Sequence, residues 1–289
     1  MIGFSGALAI LAGLASTAPT STPGCAPIRV MSYNIRLDVE SDGANRWSKR
    51  RNEFIGQIRL MQPDILGLQE VVAGQKADLE RALPGYAFVG VARDDGKSAG
   101  EFSNLAVNRA RFRIESSGTF WLSPTPQRPS KGWDAAYIRI ATWAHLVRRE
   151  NGERILALNT HLDNDGATAR VEGAREIARF LQTHLSKGEA VIVTGDFNAE
   201  PNSPPYQALT QAPLRLRDSR LASASPAIGP EGTFNDFQAL PKDQLRIDYV
   251  FADPALKVSR YAVLAWHGAG DRVASDHFPV VADLSACDR

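Results

Sequence analysis

The sequence lacks a hydrophobic run long enough to cross a membrane, which needs about 20 apolar residues in a row. Its first apolar stretch ends by residue 15, and no later segment approaches the required length. Residues 1–24 carry no charged side chain and place small residues at positions 15, 16 and 18, as a secretory signal does, although the usual basic start is missing. We therefore expect an exported protein, periplasmic or extracellular, with a signal peptide and linker over residues 1–24 and a cleavage site that the sequence leaves open.

Cysteine is nearly absent as well. Among 289 residues only Cys25 and Cys287 carry a thiol, and they stand near the two ends of the chain. Two free thiols would be the ordinary state in a reducing compartment. Because an export signal is expected, we favour a disulfide bond that ties the two ends together.

An excess of charge of either sign is also missing. The chain has 33 basic and 32 acidic residues, a formal net charge of +1. It has no overall positive field of the kind that non-specific binding to nucleic acid exploits, so a polyanion would have to be held locally. The hydrophobic share of 44% and the charged share of 22% are typical of a soluble globular protein with a large core.

Short apolar runs between turn residues predict buried strands, at residues 28–35, 64–69, 141–149, 153–162, 190–197, 246–252 and 278–284. Apolar residues at helical spacing predict helices over 46–62, ended by Pro63, and over 167–185. The turn "ENG" between two of the strands predicts an antiparallel hairpin. We expect an α/β layered protein, with the Pro- and Gly-rich stretches 121–134, 201–205 and 222–233 as surface loops of one domain over residues 25–289.

Polar side chains able to bind a metal or move a proton lie at the ends of nearly all these predicted strands. They are Asn34, Glu70, His161, Asp196, Asn198, Asp248, Asp276 and His277. Each alone has an ordinary interpretation as a turn residue, a solvated acid or a hydrogen-bonded core histidine. Ionisable groups at the ends of buried strands are costly unless they are paired or coordinated, so their conjunction predicts a functional site.

The residue types favour phosphoryl transfer assisted by a hard divalent cation. Carboxylate and amide oxygens suit Mg²⁺, with Mn²⁺ as the alternative, and a set with no cysteine and two histidines disfavours a closed structural zinc site. Asp196 and Asn198 alternate along an extended segment, so they can project to the same side and orient a water for in-line attack. Asp163 and Asp165, next to His161, are expected to be turn and helix-cap residues instead.

Six motifs occur in the order in which they occur in the endonuclease/exonuclease/phosphatase superfamily, which includes deoxyribonuclease I, bacterial sphingomyelinases and the deadenylases. They are "MSYNIR", "GLQE", "NTHLD", "GDFN", "IDYVF" and "SDHFPV". The chain resembles this superfamily from about residue 28 to residue 284, and is most similar to exported bacterial members near the deadenylase-like branch. The resemblance implies a four-layered α-β-β-α sandwich of two mixed sheets flanked by helices, with the site at one end of the sheets.

The resemblance also implies roles for the individual residues. On the metal side it places Glu70 as the principal Mg²⁺ ligand, with Asn34 and Asp276 beside it. Asp196 would orient or activate the attacking water, and Asn198 would hold a phosphate oxygen.

Five further residues complete the implied site. His277, supported by Asp248, would contact the scissile phosphate, and Arg139 resembles the phosphate-binding arginine of the family. His161 would be supported by the acid Glu101. For Glu101 and Arg139 a surface salt bridge is the alternative interpretation.

Together these features predict a magnesium-dependent phosphoesterase that hydrolyses phosphodiester bonds by attack of water, without a covalent enzyme intermediate. A nucleic acid or nucleotide substrate is favoured, although the charge gives nucleic acid little support. The alternatives are a sphingomyelinase- or phospholipase C-like headgroup phosphodiesterase and a sugar or inositol phosphate phosphatase. A non-catalytic binding module is disfavoured, because a binder does not need proton-transfer residues, and we expect the protein to be a monomer.

Overall fold

Two six-stranded sheets contain the strands of residues 26–286, the part of the chain that the computed structural model describes. The strands are β1 Ile28–Asn34, β2 Ile65–Gln69, β3 Tyr86–Val89, β4 Leu105–Asn108, β5 Phe112–Trp121, β6 Ile140–Arg148, β7 Arg154–His161, β8 Ala190–Asp196, β9 Arg217–Asp218, β10 Asp248–Ala252, β11 Lys257–Val263 and β12 Val280–Ser285. The helices are α1 Trp47–Met61, α2 Ala73–Ala82, α3 Ala167–His184, α4 Pro204–Thr210 and α5 Ser219–Ala222, and short 3₁₀ helices lie at Glu40–Asn45 and Ala269–Asp271.

Both sheets mix parallel and antiparallel pairs. The first has the order β11-β12-β1-β2-β4-β3 and the second the order β5-β6-β7-β8-β10-β9. The pairs β1–β2 and β7–β8 are parallel, and the other pairs are antiparallel. Because parallel strands end at the same edge, each sheet brings the carboxyl ends of two neighbouring strands together.

Three apolar clusters hold four layers together. One lies between the sheets and joins Val30 and Leu105 of the first to Leu146 and Ile192 of the second. A second packs α1 and α2 on the outer face of the first sheet. A third packs α3 and α4 on the outer face of the second sheet. The predicted α-β-β-α sandwich is confirmed.

The predicted strands, the hairpin β6–β7 and the helices α1 and α3 are confirmed, with ends that differ by a few residues. Several elements were not predicted. The helix α2 buries only Gln75 and Leu79, so it shows no apolar stripe, and β5 is largely exposed between its ends. The helix α4 begins at Pro204 and so occupies part of the predicted loop 201–205, because proline suits the first turn of a helix.

Among residues 26–286 no helix is both long and apolar enough to cross a membrane. The predicted signal segment over residues 1–24 lies outside the described residues, as do Cys25 and Cys287.

Candidate active site

The predicted site residues meet in a pocket of about 540 Å³ at one end of the two sheets. The ends of β1, β2, β7 and β8 reach it, together with the start of β10 and the segment before β12. Its lining residues are Arg36, Leu37, Glu70, Arg93, Glu101, Tyr137, Arg139, His161, Asn164, Asp196, Asn198, Phe234, Leu245, Ile247, Asp276 and His277. Asn34 and Asp248 lie buried beside these residues, as their hydrogen bonds show.

Asn34 joins the two acids that end β2 and β8. Its Nδ2 donates to Glu70 Oε1 at 2.9 Å and to Asp196 Oδ2 at 3.0 Å. Its Oδ1 accepts the backbone N–H of Arg36 at 3.0 Å. In this arrangement the amide presents its donor to the two carboxylates and positions them, and the predicted role of Asn34 as a metal ligand stays a prediction.

Glu70 and Asp276 form the acidic side of the pocket. Glu70 has a left-handed backbone, and its Oε2 accepts the N–H of Leu37 at 3.1 Å. The pKa of Asp276 is raised to about 6, chiefly by burial, with the charge of His277 opposing the rise and the nearby charge of Glu70 adding to it. Arg36 is the closest guanidinium, with Nε 3.8 Å from Asp276 Oδ2. A hard divalent cation offsets the repulsion between two neighbouring carboxylates and prefers oxygen ligands. Glu70 and Asp276 therefore fit Mg²⁺ or Mn²⁺.

Asp196 is at the centre of the site. Its Oδ1 accepts the N–H of Asn198 at 2.9 Å, while Oδ2 lies 3.5 Å from His161 Nε2 and 3.7 Å from His277 Nε2. Burial, followed by the charge of Asp248, raises the pKa of Asp196 to about 7. A carboxylate with such a pKa can take a proton near neutral pH.

Gly195 precedes Asp196 because the neighbouring strand leaves no space for a side chain. A Cβ at this position would lie 2.7 Å from the carbonyl oxygen of Thr160 in β7. The close approach of β7 and β8 brings His161 opposite Asp196.

His277 and Asp248 form a buried pair, with Nδ1 2.8 Å from Oδ2. Burial alone would lower the pKa of His277, but the carboxylates of Asp248 and Asp196 more than offset it, so the pKa is raised well above the ordinary value. Ligand atoms of these three residues lie within 4.8 Å of one another, a spacing that could hold a metal ion. Because a protonated imidazole cannot be a ligand, the raised pKa favours an imidazolium that contacts an anion.

His161 is not supported by Glu101, its predicted partner. Its Nε2 lies 3.0 Å from Asn198 Nδ2, whereas Nδ1 is 4.0 Å from Glu101 Oε2, too far for a hydrogen bond. Glu101 instead pairs with Arg93 at 2.8 Å. Burial, with the positive charges of Arg139, His277 and Arg93, lowers the pKa of His161, so its ring is neutral.

Arg139 is buried, and Asp163 and Asn164 hold its side chain at the pocket. Its Nε lies 3.4 Å from Asp163 Oδ2, and its Nη2 donates to Asn164 Oδ1 at 2.8 Å. The alternative of a surface salt bridge with Glu101 does not hold, since both side chains are largely buried and their closest atoms are 4.0 Å apart. Asp163 Oδ1 accepts the N–H of Gly166 at 2.7 Å, which confirms its predicted role as a turn residue.

Other residues of the pocket were not among the predicted site residues. Tyr137, Leu245 and Ile247 line it, and Arg36 reaches the acidic side through the ion pair with Asp276. Arg36 is part of the motif "MSYNIR", which is the signal that could have indicated it. The signal for Tyr137 in the sequence is its position two residues before Arg139. Nothing in the sequence indicates that Leu245 and Ile247 line the pocket.

Comparison with known protein families gives a match over residues 31–277, described as the Endonuclease/Exonuclease/phosphatase family. This span contains every predicted site residue, from Asn34 to His277.

Two solved structures from Bacteroides thetaiotaomicron are similar to this one. An endonuclease/exonuclease/phosphatase family protein is 35% identical and has a TM-score of 0.85, with 92% of this chain and 100% of that chain covered. A mannosyl-6-phosphatase is 36% identical and has a TM-score of 0.84, with 89% of this chain and 99% of that chain covered.

A curated relative is the probable RNA exonuclease NGL3 of Saccharomyces cerevisiae, 26% identical over 212 residues. The alignment covers 66% of this chain but only 41% of the yeast protein. The named activities of these relatives share the hydrolysis of a phosphoric ester bond and differ in the substrate that carries it.

Proposed function

Because this chain belongs to the endonuclease/exonuclease/phosphatase family and is a hydrolase of phosphoric ester bonds, we propose that it hydrolyses a small phosphate ester with the help of a divalent cation. The single observation that carries the proposal is the pocket at the strand ends, where two crowded acids, a centrally placed Asp196 and a protonated His277 meet.

Different side chains of the pocket act on the metal and on the attacking water. A divalent cation at Glu70 and Asp276 would, when bound, neutralise part of the charge of the phosphate. Asp196, whose pKa is raised to about 7, orients the attacking water and accepts its proton.

Three further residues act on the phosphate itself. His277 donates from Nε2 to a phosphate oxygen, because Asp248 holds its Nδ1 and keeps the ring protonated. Arg139 supplies a second positive charge as the phosphate becomes more negative in the transition state. Asn198 contacts a further oxygen.

The charges of the pocket favour a small substrate over a nucleic acid strand. A single-stranded nucleic acid is bound by a track of basic side chains with aromatic rings between them. The lining instead shows no excess of positive charge, since three arginines and the protonated His277 face four acidic residues, namely Arg36, Arg93, Arg139, His277, Glu70, Glu101, Asp196 and Asp276. The net charge of +1 on the chain adds no overall positive field.

The relatives support a phosphate monoester of a sugar as the first candidate. The mannosyl-6-phosphatase aligns over 99% of its length at 36% identity, whereas the alignment with the yeast exonuclease covers 41% of that protein. The nucleic acid or nucleotide substrate that the sequence favoured becomes the second candidate, and the names of curated relatives such as the yeast exonuclease support it.

A substrate panel tests the proposal. We expect phosphate release from mannose 6-phosphate to be faster than from nucleoside 5′-monophosphates, and slow cleavage of bis-p-nitrophenyl phosphate and of oligonucleotides. Asp196→Asn should abolish turnover of every substrate that the wild-type protein hydrolyses. Faster cleavage of oligonucleotides than of sugar phosphates would overturn the choice of a small ester, and no hydrolysis of any phosphate ester would overturn the proposed function.

A further inference from the structure

The aromatic ring of Tyr137 lies at the rim of the pocket and is 48% exposed. Two guanidinium groups are stacked near its ring, with Arg93 Cζ 5.2 Å and Arg139 Cζ 5.5 Å from the ring centroid. Both guanidinium groups lie within cation–π distance of the ring, and these contacts help to fix its orientation at the rim of the pocket.

The backbone of Tyr137 is fixed as well. Its N–H donates to Oδ2 of Asp163 at 3.0 Å, and the preceding N–H, of Ala136, donates to Oδ1 at 3.1 Å. Asp163 is buried, and its pKa is lowered by these N–H donors against the opposing effect of burial. The ring is therefore exposed without being loosely held, so it can bind a ligand with little loss of conformational entropy.

The polar groups around Tyr137 include both donors and acceptors. Arg93 Nε is buried and has no hydrogen-bond partner within residues 26–286. Glu101 supplies carboxylate oxygens, and Asn164 supplies an amide. A hydroxyl group both donates and accepts, so this mixed set suits a ring that carries several hydroxyls.

Another part of the pocket lining is apolar. Phe234, Leu245 and Ile247 line it, and Phe234 lies edge-on to His277 with centroids 5.2 Å apart. These side chains offer no hydrogen-bonding groups to hydroxyls. Apart from the groups assigned to the metal, the water and the phosphate, the polar contacts for hydroxyls therefore include those beside Tyr137.

We propose that Tyr137 binds the face of the sugar ring of the substrate, while Arg93 and Asn164 bind its hydroxyl groups. A phosphate held by Arg139 lies next to this aromatic surface, because Arg139 contacts Tyr137 directly. This inference rests on the proposed function and adds to it the residues that recognise the sugar ring of a phosphate monoester. The ring surface determines which ester is preferred and has no part in the attack of water.

Kinetics with two monoesters test the inference. Mannose 6-phosphate carries the ring, and glycerol 3-phosphate carries hydroxyls without a ring. Tyr137→Ala should raise the KM for mannose 6-phosphate about tenfold, as expected for loss of one stacked aromatic contact, and change kcat/KM for glycerol 3-phosphate less than about twofold. Tyr137→Phe keeps the ring and should retain most of the preference.

Trp133 provides the matched control, since it is a 37% exposed aromatic residue of the same loop and is not among the lining residues. Trp133→Ala should leave both substrates unaffected, and circular dichroism checks the fold of each variant. If the wild-type protein hydrolyses both esters and Tyr137→Ala changes them equally, the inference is overturned while the proposed function stands. A loss that Tyr137→Ala produces with nucleoside monophosphates but not with mannose 6-phosphate would overturn the sugar ring as the occupant. Hydrolysis of neither ester would overturn the proposed function itself.

Discussion

Two histidine–carboxylate pairs have nearly the same geometry in this protein but different surroundings. At the pocket, His277 Nδ1 lies 2.8 Å from Asp248 Oδ2. Away from it, Nδ1 of His145 in β6 lies 2.7 Å from Oε1 of Glu189, the residue before β8. Of the two histidines, only His277 has a second carboxylate among its ion-pair partners within residues 26–286, that of Asp196 at 3.7 Å. The surroundings, more than the pair itself, make His277 a candidate for catalysis.

We expect His277→Ala and Asp196→Asn each to reduce kcat at least about 100-fold, because each removes a group that transfers a proton or stabilises charge. His145→Gln serves as the matched control and should leave kcat within about twofold, since a side chain outside the site contributes nothing to the transition state. Steady-state kinetics and thermal melting of all three variants provide the comparison. Near-normal turnover by either site variant would contradict the assigned roles.

Arg50 is another residue whose role depends on its surroundings. It is 1% exposed, stacks near Trp47 and Phe237, and has no carboxylate among its hydrogen-bond partners within residues 26–286. Its acceptors are the backbone carbonyl oxygens of Ile35, Arg36, Asn45 and Ala274. One guanidinium therefore fixes the chain just after Asn34 and just before Asp276.

Arg50→Lys should weaken Mn²⁺ binding about tenfold. Residues that do not bind a metal but orient its ligands, as Arg50 would orient Asp276, typically contribute that much to the affinity. The control is Arg148→Lys, since Arg148 is also 1% exposed but binds the carboxylates of Glu150 and Glu153 outside the pocket. Isothermal titration gives the affinity, and urea denaturation gives the stability. Equal loss of stability in both variants with unchanged Mn²⁺ affinity would show that Arg50 is only structural.

At this scale the sequence predicted which residue types meet but not how each is oriented. The motifs brought Asn34 and Glu70 to the site, yet the direction of the amide depends on Arg36 N–H, a contact that spacing does not reveal. Glu101 was expected beside His161 but pairs with Arg93, because the loop between β3 and β4 brings that guanidinium closer. Such choices among nearby partners are decided by tertiary packing.

Among the elements, β2 and β8 show how closely the two sheets approach below the site. A Cβ on Gly67 of β2 would lie 2.0 Å from Thr194 Oγ1 of β8 and 2.5 Å from Asn159 Oδ1 of β7. Asn159 Nδ2 also donates to the carbonyl oxygen of Leu68 at 2.9 Å, so hydrogen bonds connect the sheets at this point.

Gly67→Ala should therefore lower the free energy of unfolding by about 1–3 kcal/mol, the usual cost of overpacking. Gly56→Ala is the matched control in the interior of α1, where a Cβ would have nothing within 4 Å. It should raise the free energy of unfolding by about 0.5–1 kcal/mol, because alanine favours a helix more than glycine does. Urea denaturation measures both, and a Gly67→Ala protein as stable as the wild type would argue against the close approach.

The predicted disulfide bond between Cys25 and Cys287 lies outside the described residues and stays a prediction from the sequence. Its basis is the expected export to an oxidising compartment. Mass spectrometry of material from an oxidising compartment should find the protein two hydrogens lighter before reduction than after. Two alkylatable thiols without reduction would contradict the bridge.

The elements that the sequence revealed are those with a regular apolar pattern. Buried central strands such as β8 and the amphipathic helix α3 were predicted because burial on a sheet leaves a strong signature. The edge strand β5 and the helix α2 bury little and were missed. Edge elements are specified by what they pair with, so their own residues carry less information.

On the scale of the whole molecule, six short motifs spread from residue 31 to residue 280 converge on one end of the two sheets. Each motif lies at or next to a strand end, and the mixed order of the sheets brings those ends together. The sequence order of the motifs therefore predicted the location of the site. The substrate was not predictable in this way, because the residues that contact it, such as Tyr137, come from loops between the motifs.

The most direct measurement of the central claim is phosphate release from mannose 6-phosphate by metal-depleted protein, followed by the addition of Mg²⁺. The proposed function assigns a divalent cation to Glu70 and Asp276, because two neighbouring carboxylates would otherwise repel a phosphate dianion. We predict that release falls to background in excess chelator and returns with added Mg²⁺ or Mn²⁺, and that Glu70→Gln stays inactive under both conditions. Undiminished hydrolysis in excess chelator would contradict the account.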